Sequence, residues 1–290
     1  YHPVGMAILI EASQARGRTL AFNGVCGNAG VSLAAGVSGA LAYWISWRAA
    51  FLIPGAVALA LGVALALLVG QGRVVAAKTD RRPQPEPGRG EVRRAFFALS
   101  VTMLAAGIIY QALTVALPKL FELRLPGLTA GGTLGAGGFA SLVFLEGMFI
   151  PLIGGRLADR YSLKWVYVAS WLVAVPVLFL SMRLLELPLF AATIVVFSMI
   201  SVSTPAENAL LVRYTPGRWR ATAFGAKFVL SLGVSSLGVP LVGFIFDRTG
   251  DFAWLFVVLG ALAAVIVTAG IFLPRDGATA ESAAAPVPAE

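Results

Sequence analysis

The 290-residue sequence predicts an all-α, polytopic membrane protein, and three observations predict it. Hydrophobic residues make up 58% of the chain and charged residues 12%, against about 25% charged in soluble domains. With a mean hydropathy of +0.85, the chain has too little polar surface to cover itself against water. Residues 49–70 and 252–273 each run 22 positions without a charge. A bilayer span needs about 20 such residues at a 1.5 Å rise. A core helix of a soluble protein rarely runs that far without a polar face. Backbone in lipid must satisfy its own hydrogen bonds, so these stretches are helices.

The elements follow in order. A stub near 1–12 comes first. Eight further helices lie near 19–43, 49–70, 95–117, 133–154, 164–182, 188–212, 221–245 and 252–273. Residues 71–94 combine proline, glycine and charge, the composition of a flexible cytoplasmic linker between two membrane blocks. The Ala- and Pro-rich tail, 274–290, predicts disorder. The domain reading is 1–70, the linker 71–94, a block 95–273, and the tail.

Basic residues orient the spans. One set of loops carries sixteen: Arg16 and Arg18, seven in the linker, Arg156, Arg160 and Lys164, then Arg213, Arg218, Arg220 and Arg275. The opposite loops carry five: Arg48, Lys119, Arg124, Arg183 and Arg248. The richer set, and with it the C-terminus, is predicted to be cytoplasmic. The net charge of +8 comes from short loops at the membrane face, where anionic lipids are the partner, and this argues against nucleic acid.

Site chemistry is sparse. The chain has one cysteine, Cys26, and one histidine, His2. It has no metal cluster, no H-E-x-x-H, no P-loop lysine and no G-x-S-x-G, so no enzyme, metal or cofactor is predicted. Glycines 24, 27 and 30 follow no strand, which rejects a dinucleotide site. Small residues at 24, 28, 32, 36 and 40 form an i, i+4 row suited to helix packing. A shift of 202 residues places Pro3 on Pro205, Arg16 on Arg218 and Arg18 on Arg220, an internal echo typical of secondary transporters.

The stretch GRLADRYSLKW, 155–165, looks like a tight charged turn between two apolar runs. It resembles the loop signature G-x-L-A-D-R-x-G-R-K of the major facilitator superfamily, which joins the second and third helices of each six-helix half. Gly155, Leu157, Ala158, Asp159, Arg160 and Lys164 match; Ser162 stands where the family has glycine. YHPVG at 1–5, RGRTLAFNGVCGNAG at 16–30, ISWRAAFLIPG at 45–55 and FDRTGDFAWLF at 246–256 extend the resemblance over nearly the whole chain. It implies a helical bundle of the superfamily type, with about nine of twelve helices from the fourth onward. Helices one to three and most of four would then precede Tyr1, and these residues alone would not transport. YHPVG and the glycine-rich fifth helix are similar to the fosmidomycin-resistance branch. The antiporter signature's proline is absent from the fifth helix, where Ala34-Ala35 and Ser38-Gly39 stand instead.

The resemblance implies roles. Asp159, with Gly155, Arg160 and Lys164, would meet Arg16, Arg18 and the helix start near Thr19, latching the two halves. The bland alternative for Asp159 is a solvated loop carboxylate. Charges inside spans are costly and mark pathways. They are Glu146, Glu207 and Lys227 in helices eight, ten and eleven, joined by Asn23, Asn28, Asn208, Tyr110 and Gln111. Glu146, near mid-span, is the first candidate for coupling, because a buried carboxyl binds protons more readily and can carry one. Its alternatives are a structural pair or a carboxyl kept permanently neutral. Glu207 and Lys227 can pair and gate one side.

The function expected is secondary active transport of a small solute by alternating access, coupled to protons, in the plasma or inner membrane. The full-length protein is expected to be a monomer. Lys227, as the interior cation, favours an organic anion. The alternative is a non-transporting sensor or scaffold of the same fold.

Overall fold

The computed structural model describes residues 19, 22–27, 29–30, 37, 41, 44–73, 88–129 and 133–274. Among them there is no strand, and the scattered described positions of 19–44 are helical, with turns following at 45–48. Seven helical stretches are long and apolar enough to cross a membrane, at the seven places the composition predicts from residue 49 onward.

α1 (Ala49–Gly70) is exposed from Phe51 onward. It packs closely on none of the other described elements, and its apolar surface suits lipid or further helices. α2 (Arg89–Arg124) is the axis of the remaining bundle. Its first turns include Glu91, Arg93 and Arg94, which sequence analysis places in the linker. After the short α3 (Pro126–Thr129), α4 (Thr133–Leu145), a 3₁₀ turn (Glu146–Met148) and α5 (Ile150–Arg160) make one interrupted span. α6 (Leu163–Ser181) and α7 (Glu186–Tyr214) are continuous. The next span holds α8 (Arg220–Phe228), a π turn (Val229–Gly233), a 3₁₀ turn (Val234–Leu237) and α9 (Gly238–Thr249). α10 (Ala253–Ile271) closes the bundle.

Proline accounts for both interruptions. Pro151 has no N–H to offer the carbonyl of Gly147, and its ring crowds that carbonyl, so the helix tightens just upstream. Pro240 does the same for Ser236, inside the second 3₁₀ turn. There Ser235 Oγ donates to the Ser231 carbonyl and Ser236 Oγ donates to the Gly233 carbonyl at 2.6 Å.

α2 packs on α4, α7, α10 and the span containing α9, while α6 packs on α7 and α10. Small residues set these approaches. A Cβ on Gly107 would lie 2.8 Å from the backbone of Ser231, and one on Gly238 would lie 2.9 Å from the Ile108 carbonyl. A Cβ on Gly154 would lie 2.5 Å from the Val202 carbonyl, so α5 and α7 touch backbone to backbone. Tyr167, Trp171, Phe121 and Phe256 fill the core between the spans.

The charged turn is shorter than the sequence suggests. Helix α5 continues through Gly154, Gly155, Asp159 and Arg160, and only Tyr161 and Ser162 separate it from α6. The physical reason is amphipathicity: Gly154, Gly155 and Ala158 face the bundle while Arg156, Asp159 and Arg160 face outward. Ser162, the departure from the family glycine, is the N-cap of α6, its Oγ accepting from the Trp165 N–H at 3.4 Å.

Candidate functional site

The interior charges turn toward neighbouring spans, and they fall into two groups. The first is sealed. Lys227, on α8, lies 2.6 Å from Glu207 Oε1 on α7, and Lys227 Nζ donates to Asn208 Oδ1 at 2.5 Å. The Tyr167 hydroxyl on α6 donates to Glu207 Oε2 at 3.1 Å. Glu207 and Lys227 are each 7% exposed and Asn208 6%. The pair foreseen in the sequence therefore forms, and it joins three spans. A charge this far from water persists only when matched by opposite charge and hydrogen bonds, and both are present.

The second group is open. Glu146 begins the 3₁₀ turn that breaks its span, and it is half-buried. Ser201 Oγ donates to Glu146 Oε1 at 3.1 Å, and Ser198 Oγ donates to Oε2 at 3.2 Å. The two serines lie three apart on α7 and so share a face. Tyr110, on α2, is within electrostatic reach of Glu146. Its ring meets Phe197 edge-on at 6.0 Å, and Phe144 meets Phe197 edge-on at 5.4 Å. Gln111, next to Tyr110, is half-buried.

Asn23 is half-buried in the helical segment 22–27. A Cβ on the adjacent Gly24 would lie 3.9 Å from Pro151 Cβ, so this segment borders the span just beyond the Glu146 turn. Asn28, Arg16 and Arg18 lie outside the described residues.

The loop motif divides its labour. Gly155 is buried, and Asp159 and Arg160 are exposed at the end of α5. Arg160 lies over the Tyr161 ring at 5.8 Å. Lys164 is 6% exposed, and its Nζ donates to the carbonyls of Ile271 and Leu273, each at 2.7 Å. A cation there satisfies the open carbonyls of the α10 C-terminus and complements its dipole. At the opposite end of the bundle, Arg124 Nε donates to Asp251 Oδ1 at 2.9 Å, and its Nη1 donates to the carbonyls of Ser181 and Met182. It ties the ends of α2 and α6 to the turn before α10.

Sequence reading missed Tyr167, Ser198, Ser201 and the Arg124–Asp251 clasp. The S-x-x-S spacing beside a proline-bearing helix was the available signal for the serines. Tyr167 had none, because it sits on a span without interior charge.

The sequence model of the Major Facilitator Superfamily matches residues 1–152 and again 142–289. The chain belongs to the Major Facilitator Superfamily. A superfamily transporter, FucP, solved in its outward conformation, superposes on it with a TM-score of 0.67 at 15% identity. That likeness covers 94% of this chain and 72% of FucP, and it concerns the fold. No curated protein matches the chain. The chain is thus a multi-pass membrane protein of a secondary-transporter family that handles small molecules, and it is not an enzyme. The bundle of α2 to α10 is superfamily architecture, and Glu146 lies within it at a helix break.

Proposed function

We propose that the protein moves a small solute by alternating access, coupled to protons through Glu146. One observation carries this reading: among the described residues a single carboxylate stands at a mid-span helix break, half-buried, held by two hydroxyls rather than by a cation. Such a group can exchange its charge without dismantling an ion pair. Discontinuous helices are where transporters place their central sites.

Residues 1–70 form the end of the first half, 71–94 the linker and 95–273 the second half; the tail 274–290 follows. In this division Glu207 and Lys227 sit on adjacent spans of the same half. Rocking of the two halves leaves their pair intact, so it works as a clasp for α6, α7 and α8 rather than as the gate first expected. Asp159 and Arg160 at the end of α5 suit a latch to the segment around Arg16 and Arg18. The basic loops place the linker and C-terminus in the cytoplasm of a plasma or inner membrane, against anionic lipids, with the full-length protein a monomer.

The test is proton-gradient-driven flux in vesicles with Glu146→Gln in the intact transporter. The variant is expected to fold and to lose gradient dependence. Undiminished proton dependence in Glu146→Gln would falsify the coupling role.

A further inference from the structure

We propose that α3 is a strap held down by fit and pushed open by Glu186, a strained residue at the start of α7 that acts as a built-in spring on the outer end of the Glu146 span. Outer here means the end of the bundle that holds Arg124. The inference goes beyond the transport reading and does not depend on what Glu146 carries.

Glu186 bears two separate costs. Its φ is 49°, and among the described residues it is the one non-glycine position with a positive φ. That region crowds a Cβ against the backbone, and residues held there concentrate at clamps and switches. The second cost lies in the side chain. Glu186 Oε1 accepts from the Gly127 N–H at 2.9 Å, whereas Oε2 is buried with no hydrogen-bond partner among the described residues. A buried acceptor without a donor has lost its water and gained nothing in return.

The magnitudes decide the sign. The strained backbone weighs against closure by about five- to thirtyfold in the equilibrium. The stranded oxygen adds a factor of about five or more. The single exposed hydrogen bond to Gly127 favours closure by about two- to tenfold. The costs win, so Glu186 drives the strap toward release.

Fit opposes it. Leu125 and Thr129, at the two ends of the strap, are buried, and Thr129 Oγ1 donates to the Leu125 carbonyl at 2.8 Å. A Cβ on Gly127 would lie 3.2 Å from Glu186 Oε1. A Cβ on Gly135, in the first turn of α4, would lie 2.5 Å from the Thr129 carbonyl. The strap is therefore wedged between the first turns of α4 and α7.

Its position gives the opening a consequence. Deeper in the bundle α4 and its 3₁₀ turn are tied to α7 by three contacts: Phe139 edge-on to Phe190 at 5.0 Å, Phe144 edge-on to Phe197 at 5.4 Å, and Glu146 with Ser198 and Ser201. Glu186 and Ser198 are separated by about 18 Å of helix at 1.5 Å per residue. The strap closes the outer end of this row. Once it lifts, α4 is free to tilt there about the contacts that remain.

The experiment is the rate at which a water-soluble maleimide labels Ala136→Cys, in the intact transporter in detergent and otherwise free of cysteine through Cys26→Ser. Ala136 is 1% exposed and adjoins Gly135, so it reports the space under the strap. Ser181→Cys, also 1% exposed and at the same end of the bundle, is the control site. When closing outruns labelling, the rate tracks the open population. Glu186→Gly relieves the backbone and removes the stranded oxygen, and is expected to slow labelling at 136 by about tenfold. Glu186→Ala keeps the strained backbone and is expected to slow it less, by about threefold. Gly135→Ala pries the strap from α4 and is expected to speed labelling by about tenfold, an effect that Glu186→Gly offsets in the double variant. None of these changes is expected at position 181. An unchanged or faster rate at 136 in Glu186→Gly overturns the proposal, as does an equal change at 181, which would mean that the whole bundle had tightened.

Discussion

Replacing Lys227 by methionine keeps the length and apolar stem of the side chain and removes its charge. Glu207 is then a carboxylate with Tyr167 as its remaining donor, and Asn208 Oδ1 loses a partner. Breaking a buried pair by deleting one member costs about 3–5 kcal/mol, most of it the stranded charge. Glu207→Gln strands the ammonium instead, with Asn208 still accepting from it. That loss is expected near the lower end of the same range, about 3 kcal/mol. The double variant strands no charge. The amide introduced by Glu207→Gln still accepts from the Tyr167 hydroxyl, so the loss is expected below that of Lys227→Met alone. The resulting coupling energy is then at least the Glu207→Gln loss, about 3 kcal/mol, large for contacting residues and well above the scatter for independent sites. The assay is reversible denaturant unfolding of the four purified proteins in one detergent, followed by circular dichroism. Additivity of the two single losses to within about 0.5 kcal/mol would mean that the pair does not act as a unit, and the clasp would fail.

Two further predictions rest on single contacts. Gly154→Ala sets a Cβ 2.5 Å from the Val202 carbonyl and so forces α5 from α7. It is expected to cost about 1–3 kcal/mol of unfolding stability, as overpacking does. Gly243→Ala, where no atom lies within 4 Å, is the control, expected neutral or slightly stabilising through better helix propensity. Burial pushes the Asp251 carboxyl up, but hydrogen bonds from Arg124 and the Phe252 and Ala253 N–H groups, with the Arg124 charge, hold it below the usual carboxylate range. A depressed folded value means stabilisation present above the unfolded value of about 3.9 and lost as pH falls through the folded one. The side chain is 45% exposed, so screening limits the effect to about 1 kcal/mol or less. Thermal melts from pH 7 to 3 are expected to show this acid limb flattened in Asp251→Asn; an unchanged limb refutes the assignment.

The candidate site was legible in part. Glu146, Glu207 and Lys227 stood out because a charge in an apolar run is visible without knowing any neighbour. Which of them pair was not visible. Glu207 and Lys227 lie 20 positions apart on successive spans, and their contact depends on the rotation of each helix. Ser198 and Ser201 read as ordinary small polar residues until α7 turned them to the glutamate. Lys164 read as a loop cation marking one membrane face; packing of α6 on α10 turned it onto two carbonyls 107 and 109 residues away. The helix break at Glu146 was written locally, in Gly147 and Pro151, but its importance came from what stood opposite.

The sequence by itself determined the solvent, the number and position of the described spans from residue 49, and the family. These follow from transfer free energies and motif spacing, which act residue by residue along the chain. Only the tertiary structure decided that one set of interior charges is sealed and another open. That distinction depends on which faces of α2, α6, α7 and α8 meet, and helix rotation is fixed by side-chain packing across spans rather than by hydropathy along them.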